Sequence, residues 1–167
     1  MRFGRSAIVL GVAVLGGMAT VGATASRAEA HQPCRKVHGH IVAQVTTENC
    51  NSPVLLCTAG TVTGGGPLNG ASTFTTLGLA PGAGLSPLVP GSTLSYTGSL
   101  TISTRRGDLS LTDVGILEQS TLRFTELDQV VGGTGEFEGK TGRWFIAGFV
   151  TGGGTGFDGE IEGDICE

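Results

Sequence analysis

Along residues 31–167 apolar and polar positions alternate in short runs broken by glycine, and helical spacing is absent. The pattern predicts eight strands: Lys36–Thr47, Leu56–Thr63, Ser72–Leu79, Thr93–Thr104, Asp108–Leu117, Thr121–Val131, Arg143–Thr151 and Phe157–Cys166. Between them GGGPLNG (64–70), RRGD (105–108) and GGGTG (152–156) have the composition of tight turns. APGAGLSPLVPGS (80–92) is the one long Pro/Gly loop. The last strand is the most regular. Phe157, Gly159, Ile161, Gly163 and Ile165 alternate with Asp158, Glu160, Glu162 and Asp164. In the first strand Val37, Gly39, Ile41, Ala43 and Val45 alternate with Lys36, His38 and His40.

These two strands fit each other. With Cys34 opposite Cys166, antiparallel pairing sets Lys36 against Asp164, His38 against Glu162 and His40 against Glu160. On the other face Val37 meets Gly163, Gly39 meets Ile161 and Ile41 meets Gly159. Opposite charges meet on one face, and large residues meet small ones on the other. The first and last strands are therefore expected to be neighbours, closing an all-β, eight-stranded antiparallel up-and-down barrel without free edges. Four cysteines permit three pairings. This register selects Cys34–Cys166 as the seam and leaves Cys50–Cys57 to close a local loop around NSPVLL. Metal ligation by the cysteines lacks a C-x-x-C spacing.

The first thirty residues read differently. Arg2 and Arg5, a short apolar run at 7–19, and small-x-small sites ending at Ala25 and Ala30 form a secretory signal pattern. The run is shorter than the roughly 18 residues of a membrane span. The expectation is a signal peptide over 1–30, a single barrel domain over 31–167, and a protein released outside the cell. Cleavage after Ala30 removes three cations and one anion, taking the formal charge from −4 to −6. An acidic product without basic clusters is a poor binder of nucleic acid or anionic membrane.

Residues 132–144, GGTGEFEGKTGRW, contain a Gly-Lys-Thr. A phosphate loop needs G-x-x-x-x-G-K-[ST], and here the first glycine's place is taken by Thr134. Glu136 and Glu138 would also repel a polyphosphate, so the glycines are read as bending a sheet. In that role VVGGTGEFEGKTG (130–142) resembles the V-x-GGTG-x-F-x-x-A/G-x-G signature of dirigent proteins, plant allene oxide cyclases and their secreted bacterial relatives. RRGDLSLTDVG (105–115) and LCTAGTVTGG (56–65) resemble the bacterial branch, and together the stretches cover about half of the domain. The resemblance implies an eight-stranded barrel whose interior is capped by Phe137. It also implies apolar or phenolic ligands in the lumen, no metal or cofactor, and trimeric assembly in some members. It transfers no catalytic residue, and fold alone does not confer chemistry.

Glu126 and Asp128 share a strand face with Leu122, Phe124 and Val130. Facing inward, they place two carboxyls in an apolar lumen, where burial raises the pKa and suits general acid work. Facing a wet rim, they are ordinary exposed carboxylates. His38, His40, Glu160 and Glu162 have the chemistry of zinc ligands but lie opposite the apolar stripe, as a solvated ladder does. The RGD at 106–108 is what a hairpin turn requires. No G-x-S-x-G elbow is present, and paired cysteines leave no thiol nucleophile. RWFIAGFV (143–150) is apolar on both faces, which asks for a second cover and predicts a homo-oligomer, dimer or trimer. Three functions follow: a secreted binder of a small hydrophobic ligand, a cofactor-free isomerase or coupling guide, or a structural surface protein.

Overall fold

In a computed structural model of the chain, described over residues 33–65, 67–82 and 92–167, eight strands close on themselves in chain order. They are β1 (Cys34–Thr46), β2 (Cys57–Gly64), β3 (Gly70–Pro81), β4 (Thr93–Thr104), β5 (Gly107–Glu118), β6 (Arg123–Gly133), β7 (Thr141–Thr151) and β8 (Gly156–Cys166). A single 3-10 turn, Gly135–Phe137, lies between β6 and β7. The signal pattern of residues 1–30 and the middle of the 80–92 loop lie outside the described residues. His31–Glu167 forms one compact unit.

The closure is the expected one. β8 pairs with β1 in the register Cys34↔Cys166, Lys36↔Asp164, Val37↔Gly163 and Ile41↔Gly159. Disulfides join Cys34 to Cys166 and Cys50 to Cys57. On the outer face Lys36 Nζ lies 3.0 Å from Asp164 Oδ2. His40 departs from the simple ladder. Its Nε2 is 2.8 Å from Asp158 Oδ1, diagonally placed, and 4.0 Å from its direct neighbour Glu160.

Most strand ends shift by one or two residues from the pattern, and three departures matter for the faces. Thr121 and Leu122 belong to a turn, not to β6. Glu118 accepts hydrogen bonds there from Ser120 Oγ and from the backbone and hydroxyl of Thr121. Leu122 takes φ +57° and leaves the Glu126 face, and β6 starts at Arg123. Val45 keeps the inward parity of β1 but ends up exposed at the rim, its N–H bonded to the Thr155 carbonyl. β3 extends to Pro81 and carries a bulge at Leu77, between the pairs Thr76↔Gly98 and Gly78↔Thr97. The extra residue turns Leu77 outward and brings Leu79 beside Tyr96 on the lumen side.

The β7–β8 turn settles which face of the doubly apolar strand is inside. Gly152, Gly153 and Gly154 all take positive φ (58°, 68° and 108°), conformations that side chains resist. They fix Thr151 opposite Gly156. Trp144, Ile146 and Val150 then point inward, while Phe145 and Phe149 stay 58% and 45% exposed. Trp144 is fully buried, with Nε1–H donated to the Asp164 carbonyl. One end of the barrel is filled by Val37, Val62, Leu68, Ile102, Leu109, Val130, Trp144 and Phe137. Leu68 comes from the GGGPLNG segment, so that segment supplies a core plug as well as a turn. Phe137, from the 3-10 turn, is 2% exposed and seals the same end.

Candidate functional site

The other half of the barrel is not filled. A cavity of about 130 Å³ lies there, walled by Ile41, Leu100, Phe124, Ile146 and Phe157, with Phe74 and Tyr96 along one side. The two rings stand edge to face, 6.4 Å apart. Each lies across a glycine of the next strand. A Cβ on Gly98 would sit 2.4 Å from Phe74 Cζ, and one on Gly115 would sit 2.3 Å from Tyr96 Cζ. The bare backbone at Gly115 lets Tyr96 cross from β4 over β5 to β6. There its hydroxyl donates to Glu126 Oε1 at 2.8 Å.

Both sequence candidates face inward. Glu126 lines the cavity and is half-buried. Asp128 lies one step deeper and is 0% exposed. The structure adds two residues that periodicity reasoning passed over. Tyr96 is one. The other is Asp113, which occupies an inward slot of β5 between Leu111 and Gly115 and pairs directly with Asp128. The alternation Leu109, Leu111, Asp113, Gly115, Leu117 carried that signal in the sequence.

Three carboxyls thus share one wall of an apolar barrel. Both oxygens of Asp113 and of Asp128 lack a hydrogen-bond partner in the protein, as do Ser72 Oγ and Thr76 Oγ1. Burial penalises the charged form and pushes Asp113 up to about 7. Burial also raises Glu126 to about 7, with the Tyr96 hydrogen bond opposing and Asp113 adding to the rise. Asp128 reaches about 9, first through burial and then through the neighbouring charges of Glu126 and Asp113. Burial, reinforced by Glu126, holds the Tyr96 hydroxyl protonated well above its ordinary range. At neutral pH the wall therefore holds at least one protonated carboxyl beside partly ionised ones, a proton-donating surface in a low-dielectric space.

The remaining candidates stay outside this chemistry. His38, His40, Glu160 and Glu162 lie on the outer face, and no group of three acidic, histidine or cysteine side chains among the described residues is placed to hold one metal ion. In the Gly-Lys-Thr segment the N–H groups of Thr134, Glu136, Phe137, Glu138 and Lys140 bond to the carbonyls of Asp108, Arg106, Thr134, Gly135 and Phe137. No row of amides is left for a phosphate. Lys140 is more covered than a free turn residue, 25% exposed, with Nζ 3.2 Å from Glu167 Oε1. In the RGD turn, Arg106 pairs with Glu136 at 3.1 Å and the Asp108 N–H bonds to Thr134 Oγ1. A groove of about 500 Å³ between Arg35, Pro67, Phe137 and Cys166 marks this sealed end. It is larger than the lumen cavity, but it is a surface groove in which Arg106 pairs with Glu136 and Lys140 with Glu167, so the lumen is the better candidate. No protein-family model, curated protein or solved structure matches the chain.

The raised carboxyls have a consequence for stability. Unfolded, Asp and Glu titrate near 4. Folded, these three keep their protons to about 7, 7 and 9. Between those limits the native state binds more protons, so stability falls as pH rises from about 4 to 9 and their effect vanishes below 4. Asp128→Asn should gain at least about 1.4 kcal/mol at pH 8, the equivalent of a tenfold difference in proton affinity between the two states, and little at pH 4. Urea unfolding at the two pH values checks this; equal effects at both would contradict it.

Proposed function

We propose that this chain is an exported barrel that binds a small, mostly apolar molecule in its lumen, gripping its single polar end with the Tyr96–Glu126 pair. The observation carrying the reading is a ring-sized apolar cavity with the hydrogen-bonded Tyr96–Glu126 pair on its wall. Binding sites of this kind combine hydrophobic lining with a few placed polar groups. A cavity of about 150 Å³ walled by Leu, Ile and Phe accommodates benzene, which sets the scale at one ring. Two disulfides and the leader pattern of residues 1–30 support export. The closed eight-stranded barrel, with Phe137 buried at its end, supports the likeness to the dirigent and allene oxide cyclase group. A cofactor-free isomerase or coupling guide is the second reading, favoured by Glu126, a carboxyl raised to about 7 on the cavity wall, with the protonated Asp128 behind it. A purely structural role is the weaker third, because the lumen is not packed solid.

Titration with toluene and phenol, followed by backbone amide NMR shifts, tests the main reading. Shifts should cluster at Ile41, Phe74, Phe124 and Ile146, with phenol binding more tightly than toluene. Ala43→Leu fills the cavity and should weaken both at least tenfold while the barrel stays folded. Shifts spread over the outer surface would contradict the reading.

The outer face supports self-assembly. Val114, Leu127 and Phe145 are exposed and lie directly side by side on β5, β6 and β7. Phe149 extends the patch, with the Arg123 guanidinium 4.5 Å above its ring. Covering such side chains is worth roughly 1.5–3 kcal/mol each, and a second copy of the chain is the proposed cover. Light scattering at micromolar concentration should give a dimer or trimer, and Leu127→Glu should return it to a monomer with an unchanged circular dichroism spectrum. A wild-type monomer would contradict this.

A further inference from the structure

The lumen wall is electrostatically one-sided. Asp113, Glu126 and Asp128 converge on it from β5 and β6, and no lysine, arginine or histidine among the described residues is buried. Acidic groups in a low-dielectric interior either hold their protons or are offset by an opposite charge. The titratable groups that approach Glu126 are Tyr96 from β4, Asp113 from β5 and Asp128 from its own strand. Its β7 partner, Ile146, brings none. A second feature on the same cavity is independent of the acids. Thr76, 1% exposed on β3, lines the space with a hydroxyl that has no partner in the protein. The rest of the lining offers ring faces, with Phe124 edge to face against Phe157 at 5.9 Å and Phe74 against Tyr96. Carboxylate, spare hydroxyl oxygen and aromatic faces are all acceptors for a positive charge.

We infer that the polar end selected by this lumen is a protonated amine, the occupant being a single-ring ammonium compound with its cation at Glu126 and its ring among Phe74, Phe124 and Phe157. The inference rests on the lumen-binding reading and narrows it. A neutral alcohol reaches the same cavity but offers no charge to Glu126, and a carboxylate is repelled by the ionised form of Glu126. An ammonium group donates to Glu126, a charge-assisted bond strengthened where water is excluded. Its arrival favours the ionised form of Glu126, so binding near neutrality releases a proton.

Titration calorimetry of the wild-type protein at pH 7 with benzylamine, benzyl alcohol and benzoate tests this. Benzylamine should bind at least tenfold more tightly than benzyl alcohol, benzoate should be weakest, and only benzylamine should show a heat that changes with buffer, reporting proton release. Glu126→Gln should bring benzylamine down to the level of benzyl alcohol measured on the same variant, and retained binding of toluene, which needs no polar handle, reports an intact lumen. Equal affinities for amine and alcohol would overturn the amine assignment and leave lumen binding standing. A preference that survives Glu126→Gln would overturn it too. Failure of all three probes to bind would remove both readings. If Glu126→Gln does not fold, the wild-type comparison decides alone.

Discussion

Everything in this barrel depends on the register between β8 and β1. Strand side chains alternate with period two, so a slip of one residue would exchange the faces of every strand it reached. Here a slip of β8 would bring Asp158, Glu160, Glu162 and Asp164 into the lumen and put Phe157, Ile161 and Ile165 into water. Opposed glycines and large aliphatics on one face, Lys36 against Asp164 on the other, and the disulfide at the end all select the same pairing. Closure then removes both sheet edges and defines an inside.

That inside is built in two halves with different purposes. Near the seam it is packed solid, with Trp144, Leu68 and Phe137 occupying the space between strands. Beyond it the packing stops, and the wall carries three carboxyls that only Tyr96 partly satisfies. Such groups lower stability, because a buried unpaired polar group costs about 1–3 kcal/mol. A fold that retains them gains something other than stability, and departures from local packing rules concentrate at functional sites. The solid half, the continuous ladder and the disulfides provide the rigidity against which the loose half is held.

Much of this was legible in the residues. The alternation of the first and last strands and the cysteine positions carried the closure, because a barrel seam must satisfy both faces together. Glu126 and Asp128 stood out as carboxyls in a run with Phe124 and Val130. Less accessible were features decided by neighbours distant in sequence. Tyr96 matters because Gly115, on another strand, leaves room for its ring, and Asp113 matters because it lands opposite Asp128. The bulge at Leu77 and the entry of Leu68 into the core are decided by neighbouring strands, which alternation does not encode. The inner face of β7 depended on backbone angles in three consecutive glycines, where composition permits two registers.

The lumen owes its character to carboxyls that are buried together and hold their protons. Carbon-13 NMR titration of the Asp and Glu side-chain carboxyls tests this directly. Asp113 and Glu126 should titrate near 7 and Asp128 near 9, while Glu118, on the surface and held by Ser120 and Thr121, should titrate near 2. Titration of Asp113, Glu126 and Asp128 at ordinary carboxyl values near 4 would mean that they meet water, and that this lumen wall does not exist in solution.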